Sequence, residues 1–180
     1  MMSSYLNESD SDEDAPGAAR VELGEEQKAE VMEMAASLKS EGNAHFSSGE
    51  YEQALERYTA AVNCLKEAGL KDCLILLNRS ATYLAMQRYV PALNDANQAT
   101  ALDPTNWKGH WRKGVALMSM SKRAFRTTQA LEAFNACLKC PTLPADKRAE
   151  LMSAMEKARA RKEQQDADTP PADLSNCAPS

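Results

Sequence analysis

Five polar residues stand out by type and spacing. Lys39 and Asn43 are four residues apart, as are Lys108 and Arg112, and Asn78 lies between the two pairs. On a helix, a four-residue step puts both side chains on one face. Lys and Arg supply charge-assisted hydrogen bonds to carboxylates. Asn amides donate to a carboxylate and also pair with a peptide backbone. If the elements carrying them are neighbours, three cations and two amides face one concavity. The ligand matching that set is an extended peptide ending in acidic residues with a free C-terminal carboxylate.

The elements that must position them are helices. From about Glu25 to Lys162 the helix formers Ala, Leu, Glu, Lys, Met and Gln dominate, and no alternation of β-branched residues marks a strand. This stretch repeats itself. With Gly42 set against Ser80, Tyr51 falls on Tyr89, Ala54 on Ala92 and Ala61 on Ala99. Gly114 takes the same position 34 residues after Ser80. The first interval is 38 residues, because Gly69–Asp72 are inserted between the first two units. In the third unit Ala130, Phe134 and Cys137 take the second-helix positions, and about four extra residues fall within 121–129. Small residues recur because antiparallel helices cross closely there, and larger side chains would push them apart. A last segment, about 144–162, carries an apolar stripe of Leu151, Met152, Met155 and Ala158 and a charged opposite face. It reads as a cap on the open end of the stack.

The pattern resembles the tetratricopeptide repeat over roughly Ala35–Pro141. Gly42, Ser80 and Gly114 stand at the helix crossing, with Ala54, Ala92 and Ala130 opposite. Tyr58 and Phe134 are the large second-helix residues, and Ala96 departs from that pattern. Pro104 closes the second unit, while the first has Lys66 where a Pro is usual. The resemblance implies an all-α fold, three helix–turn–helix repeats in a right-handed superhelix with a C-terminal capping helix. First helices line the concave face of such a stack.

A narrower resemblance is to the dicarboxylate-clamp co-chaperones of that family. The motif K-x-x-G-N-x-x-F/Y stands as Lys39 to Phe46, N-R-S/A-A as Asn78 to Ala81, and K-x-x-x-R as Lys108 to Arg112. This implies Lys39, Asn43, Asn78, Lys108 and Arg112 as peptide-carboxylate contacts, and Phe46, Ala81 and Ala85 as a pocket for an apolar ligand side chain. The implied partners are the Glu-Glu-Val-Asp tails of Hsp70 and Hsp90 chaperones, with the chain acting as a co-chaperone or adaptor. The alternative is a general assembly scaffold, or a regulatory subunit of an enzyme, using another face of the stack.

Composition bounds the remaining readings. The 180 residues carry 26 acids and 21 bases, a net charge of −5. Residues 1–24 hold six acids and Arg20 as their one base, so that segment alone accounts for the excess. Bulk nucleic-acid binding is disfavoured without a basic surplus. No apolar run is long enough to span a membrane, and the N-terminus has neither the charge nor the apolar core of a targeting signal. Five Cys without an export signal fit reduced thiols in the cytoplasm, or in the nucleus. The domain expectation is a disordered acidic tail over 1–24, the repeats over 25–143, the cap over 144–163 and a disordered tail over 164–180.

Competing chemistry is weak. Cys137 and Cys140 form a lone CxxC where zinc needs four ligands. His45 and His110 sit in different units. No nucleophile motif, phosphate loop, metal set or cofactor signature is present, so the reading is a binding protein and not an enzyme. Trp111 is expected in the core and Trp107 at the groove edge. Ser9 and Ser11 have Asp12 and Asp14 three residues on, a pattern for acid-directed phosphorylation that could set the tail against its own groove.

Overall fold

The computed structural model describes residues 23–120 and 124–168. Ser9 and Ser11, the acidic segment to residue 22, positions 121–123 of the third-unit insertion and residues 169–180 lie outside the described residues. Seven helices follow one another among those described: α1 (Glu25–Ser47), α2 (Tyr51–Glu67), α3 (Cys73–Ala85), α4 (Tyr89–Leu102), α5 (Trp107–Ser119), α6 (Ala124–Lys139) and α7 (Ala145–Ala167). They pack as three hairpins, α1 with α2, α3 with α4 and α5 with α6, and α7 closes on α6. The first helices also touch in order, α1 on α3 and α3 on α5, which sets them side by side. No helix among the described residues is long and apolar enough to cross a membrane.

The close crossings are visible at two glycines. A Cβ on Gly42 would come within 2.7 Å of Cε1 of Tyr58, and one on Gly114 would press still harder on the Phe134 ring. Glycine at α1 and α5 thus accommodates a ring from the partner helix. In the second hairpin α4 carries Ala96 at the ring position, and Ser80 stands in place of glycine. Its hydroxyl donates to the Ala92 carbonyl at 2.8 Å within the buried crossing. The turns repeat as well. Gly49 has φ of 79°, and Gln87, the equivalent position 38 residues on, has φ of 57°. That left-handed conformation is natural for glycine and strained for glutamine.

Two local features differ from the sequence expectation, and a third adds to it. The apolar stripe of α7 is Leu151, Met155 and Ala158, buried against Leu117, Ala130, Phe134, Cys137 and Leu143, whereas Met152 is 53% exposed. One residue along a helix is a rotation of roughly 100°, so Met152 leaves the face that Leu151 holds. The helix also runs to Ala167, beyond the boundary at 163. Glu163 to Ala167 are helix formers or neutral residues, Lys162 pairs with Asp166 at 2.6 Å, and Thr127 donates to Oε1 of Gln165 at 2.8 Å. Finally, the described part of the third-unit insertion lengthens α6. Six residues precede Ala130 in α6 where three precede Ala54 in α2, and Phe125 on this added turn is 70% exposed.

Candidate peptide-binding groove

Each polar candidate rests on a first helix. Lys39 and Asn43 lie on α1, Asn78 on α3, and Lys108 and Arg112 on α5. A cavity of about 140 Å³ opens between these helices, walled by Asn43, Phe46, Ser47, Tyr58, Asn78, Ala81 and Arg112. Three of the five carboxylate candidates and two of the three pocket candidates therefore share one wall. Ala85, the last residue of α3, is exposed and outside that wall, because it lies one further turn along from Ala81. Lys39 and Lys108 are also outside it.

The amides are locked in a defined orientation. The Tyr58 hydroxyl donates to Asn43 Oδ1 at 2.7 Å, and Asn78 Nδ2 donates to the same oxygen at 2.8 Å. With its oxygen taken twice, Asn43 has its Nδ2 as the remaining side-chain donor. Burial pushes the Tyr58 phenol up from its ordinary pKa, so it remains a donor at neutral pH. Sequence reasoning saw Tyr58 only as a packing residue. The signal was available: where Asn43 follows Gly42 the facing ring is Tyr58, and where Val115 follows Gly114 it is Phe134.

The cations differ in their surroundings. Arg112 Nη1 is buried and has no hydrogen-bond partner among the described residues. Burial lowers the Arg112 pKa to about 10, partly offset by Cys73 and Tyr58 nearby, so the guanidinium stays charged at neutral pH. A buried donor without an acceptor is costly, and a buried charge more so. Lys39 Nζ lies 3.3 Å from Oδ2 of Asp72, a half-buried pair. Lys108 is exposed in the first turn of α5. Next door, Arg79 forks onto Asp95 with two bonds of 2.7 Å, tying α3 to α4 behind Asn78.

The other candidates are occupied locally. Cys137 donates its thiol to the Trp107 carbonyl at 3.4 Å, and Cys140 to the Ala136 carbonyl at 3.3 Å. Burial pushes the Cys137 thiol up to about 12, far from thiolate chemistry. His45 Nδ1 meets Glu50 at 2.6 Å, and His110 Nε2 meets the Pro104 carbonyl at 2.9 Å. No cluster of three metal-ligating residues occurs among the described residues. Trp111 tilts against Phe134 with ring centroids 5.6 Å apart. Trp107 packs with it toward Leu143, Lys147 and Glu150, on the α7 side rather than at the groove edge. Position 107 is one turn from Trp111 on the same face, so the two rings share a cluster.

Known proteins share the fold. The structure superposes on the TPR domain of Sgt2 from Aspergillus fumigatus with a TM-score of 0.62 and 30% identity, covering 81% of this chain and 91% of that one. It is also similar to the second TPR domain of human RPAP3 in complex with the HSP70 peptide SGPTIEEVD, with a TM-score of 0.61 and 27% identity over 72% of this chain and 98% of that one. Among curated sequences, the heat shock protein sti1 homolog of Schizosaccharomyces pombe is 42% identical over 84 residues, 47% of this chain and 14% of that protein. The chain spans between 10% and 30% of the length of the curated relatives it matches. No family profile matches the chain.

Proposed function

The chain belongs to the tetratricopeptide-repeat family, similar to its Hsp70- and Hsp90-binding co-chaperone domains, and on that premise we propose that its groove holds the acidic C-terminal tail of such a chaperone. The observation that carries this reading is the buried Nη1 of Arg112, without a partner among the described residues, in a wall shared with Asn43 and Asn78. A carboxylate placed there would satisfy the guanidinium and accept from Asn43 Nδ2. Phe46 and Ala81 offer the apolar part of the same wall to a ligand side chain. Lys108, exposed one turn before Arg112 on α5, and Lys39 supply the charge for further carboxylates. The mechanism is recognition, in which a free main-chain carboxylate and an acidic side chain are read together. The chain then serves as a co-chaperone or adaptor in the compartment that holds those tails, the cytoplasm or nucleus.

The test is a fluorescence-anisotropy titration with SGPTIEEVD as the free acid and as its C-terminal amide. Amidation removes one charge and leaves the sequence intact. The free acid binds, salt weakens it, and the amide binds at least tenfold more weakly, on the order of the loss of one charge-assisted contact. Equal binding of both peptides, or of neither, refutes the reading.

A further inference from the structure

We infer that Asp72 is a built-in competitor for the ligand's carboxylate at Lys39, and that it sets how tightly the groove holds an acidic tail. The inference rests on the binding reading above and concerns the regulation of that same groove. Asp72 is the last of the four residues by which the first repeat interval exceeds the second. It has two tasks. Its Oδ1 caps α3, accepting from the backbone N–H of Leu74 at 2.6 Å and of Ile75 at 3.2 Å. Its Oδ2 reaches back across 33 residues of sequence to Lys39 Nζ at 3.3 Å. The capping bonds fix the carboxylate, so it cannot swing away from Lys39 without stripping the first turn of α3 of its acceptor.

The chain therefore holds its own carboxylate on a lysine that the binding reading assigns to the tail. The side chains of Lys39 and Asp72 are 25% and 31% exposed, so an incoming anion reaches the pair. It must share the ammonium group with Asp72 or displace it, and in either case it meets a fixed negative charge. Arg112 imposes no such competition, because its Nη1 has no partner among the described residues. The two cations thus contribute unequally. Contact at Arg112 anchors the tail, and contact at Lys39 is weakened by an internal rival, which favours exchange over tight retention.

The experiment replaces the charge and keeps the cap. Asn and Ser both accept from helix N-terminal N–H groups as well as Asp does. Asp72→Asn and Asp72→Ser are titrated with SGPTIEEVD beside the wild type, with unfolding midpoints measured in parallel. Both variants bind the free acid about two- to fivefold more tightly, the scale of a partly exposed ion pair. Should one variant unfold early, the other carries the test. Unchanged or weaker binding in the folded variants overturns the inference and leaves the binding reading standing. A wild type that fails to bind the free acid overturns both.

Discussion

Arg79 and Arg112 sit on neighbouring first helices and are treated in opposite ways. Arg79 on α3 is clamped by the buried carboxylate of Asp95 through two 2.7 Å bonds. Burial works to lower its pKa, but the hydrogen bonds and charge of Asp95 outweigh this and the pKa is raised. Arg112 on α5 is half-buried with its Nη1 fully covered, its pKa falls to about 10, and no carboxylate meets it among the described residues. One arginine completes the fold. The other is left without a partner among the described residues, and an anion is what the proposed function supplies. Lys39 stands between these extremes, supplied with a carboxylate that an incoming ligand can contest.

The contrast is sharpest under substitution. Arg79→Met strands the buried Asp95 charge and destabilises the chain by about 3–5 kcal/mol, read from denaturant unfolding. Arg112→Met removes a largely covered charge that no described residue pairs with, so stability is unchanged or rises, while affinity for the acidic tail falls by about 2–5 kcal/mol. Loss of folding in Arg112→Met, or retained binding, would break the comparison. The sign with pH follows. Burial depresses the folded pKa of a base, so its cost to stability is complete below about 10 and is relieved as pH rises through that value. Tail affinity of the wild type stays level from about pH 6 to pH 8 and declines above about 10 as Arg112 loses its charge.

Smaller effects refine the picture. Lys39→Ala weakens tail binding by about 1–2 kcal/mol, less than Arg112→Met, because Asp72 already occupies that ammonium group. A loss equal to that at Arg112 would show the two cations to be equivalent. Tyr58→Phe keeps the ring against Gly42 and deletes only the bond to Asn43. It costs about 0.5–1.5 kcal/mol in tail affinity with a near-native unfolding midpoint. In that variant the Asn43 side-chain amide resonances also move in NMR spectra, and unmoved resonances would deny Tyr58 its orienting role.

Much of the fold was legible because close helix crossings need small residues at fixed positions, and Gly42, Ser80 and Gly114 answer to Ala54, Ala92 and Ala130. The shared wall of Asn43, Asn78 and Arg112 was legible for a related reason, since helical spacing and repeat register together decide which residues share a face. Less was visible where long-range contacts decide. The final turns of α7 depend on Gln165 meeting Thr127 from another helix. Trp107 joins the α7 side because Trp111 and Leu143 create a cluster there. Asp72 read as an unremarkable inserted residue, and only the loop's path brings it to Lys39, 33 residues away.

The central claim is that Arg112 awaits an anion, and its own resonances test this most directly. Nitrogen-15 NMR of the Arg112 guanidinium is followed while SGPTIEEVD is added as free acid and then as amide. The account predicts that the free acid shifts the Arg112 signals and slows their exchange with water, as a buried hydrogen bond to a carboxylate requires, and that the amide at equal concentration leaves them nearly unmoved. Arg112 signals indifferent to a bound free acid would contradict it.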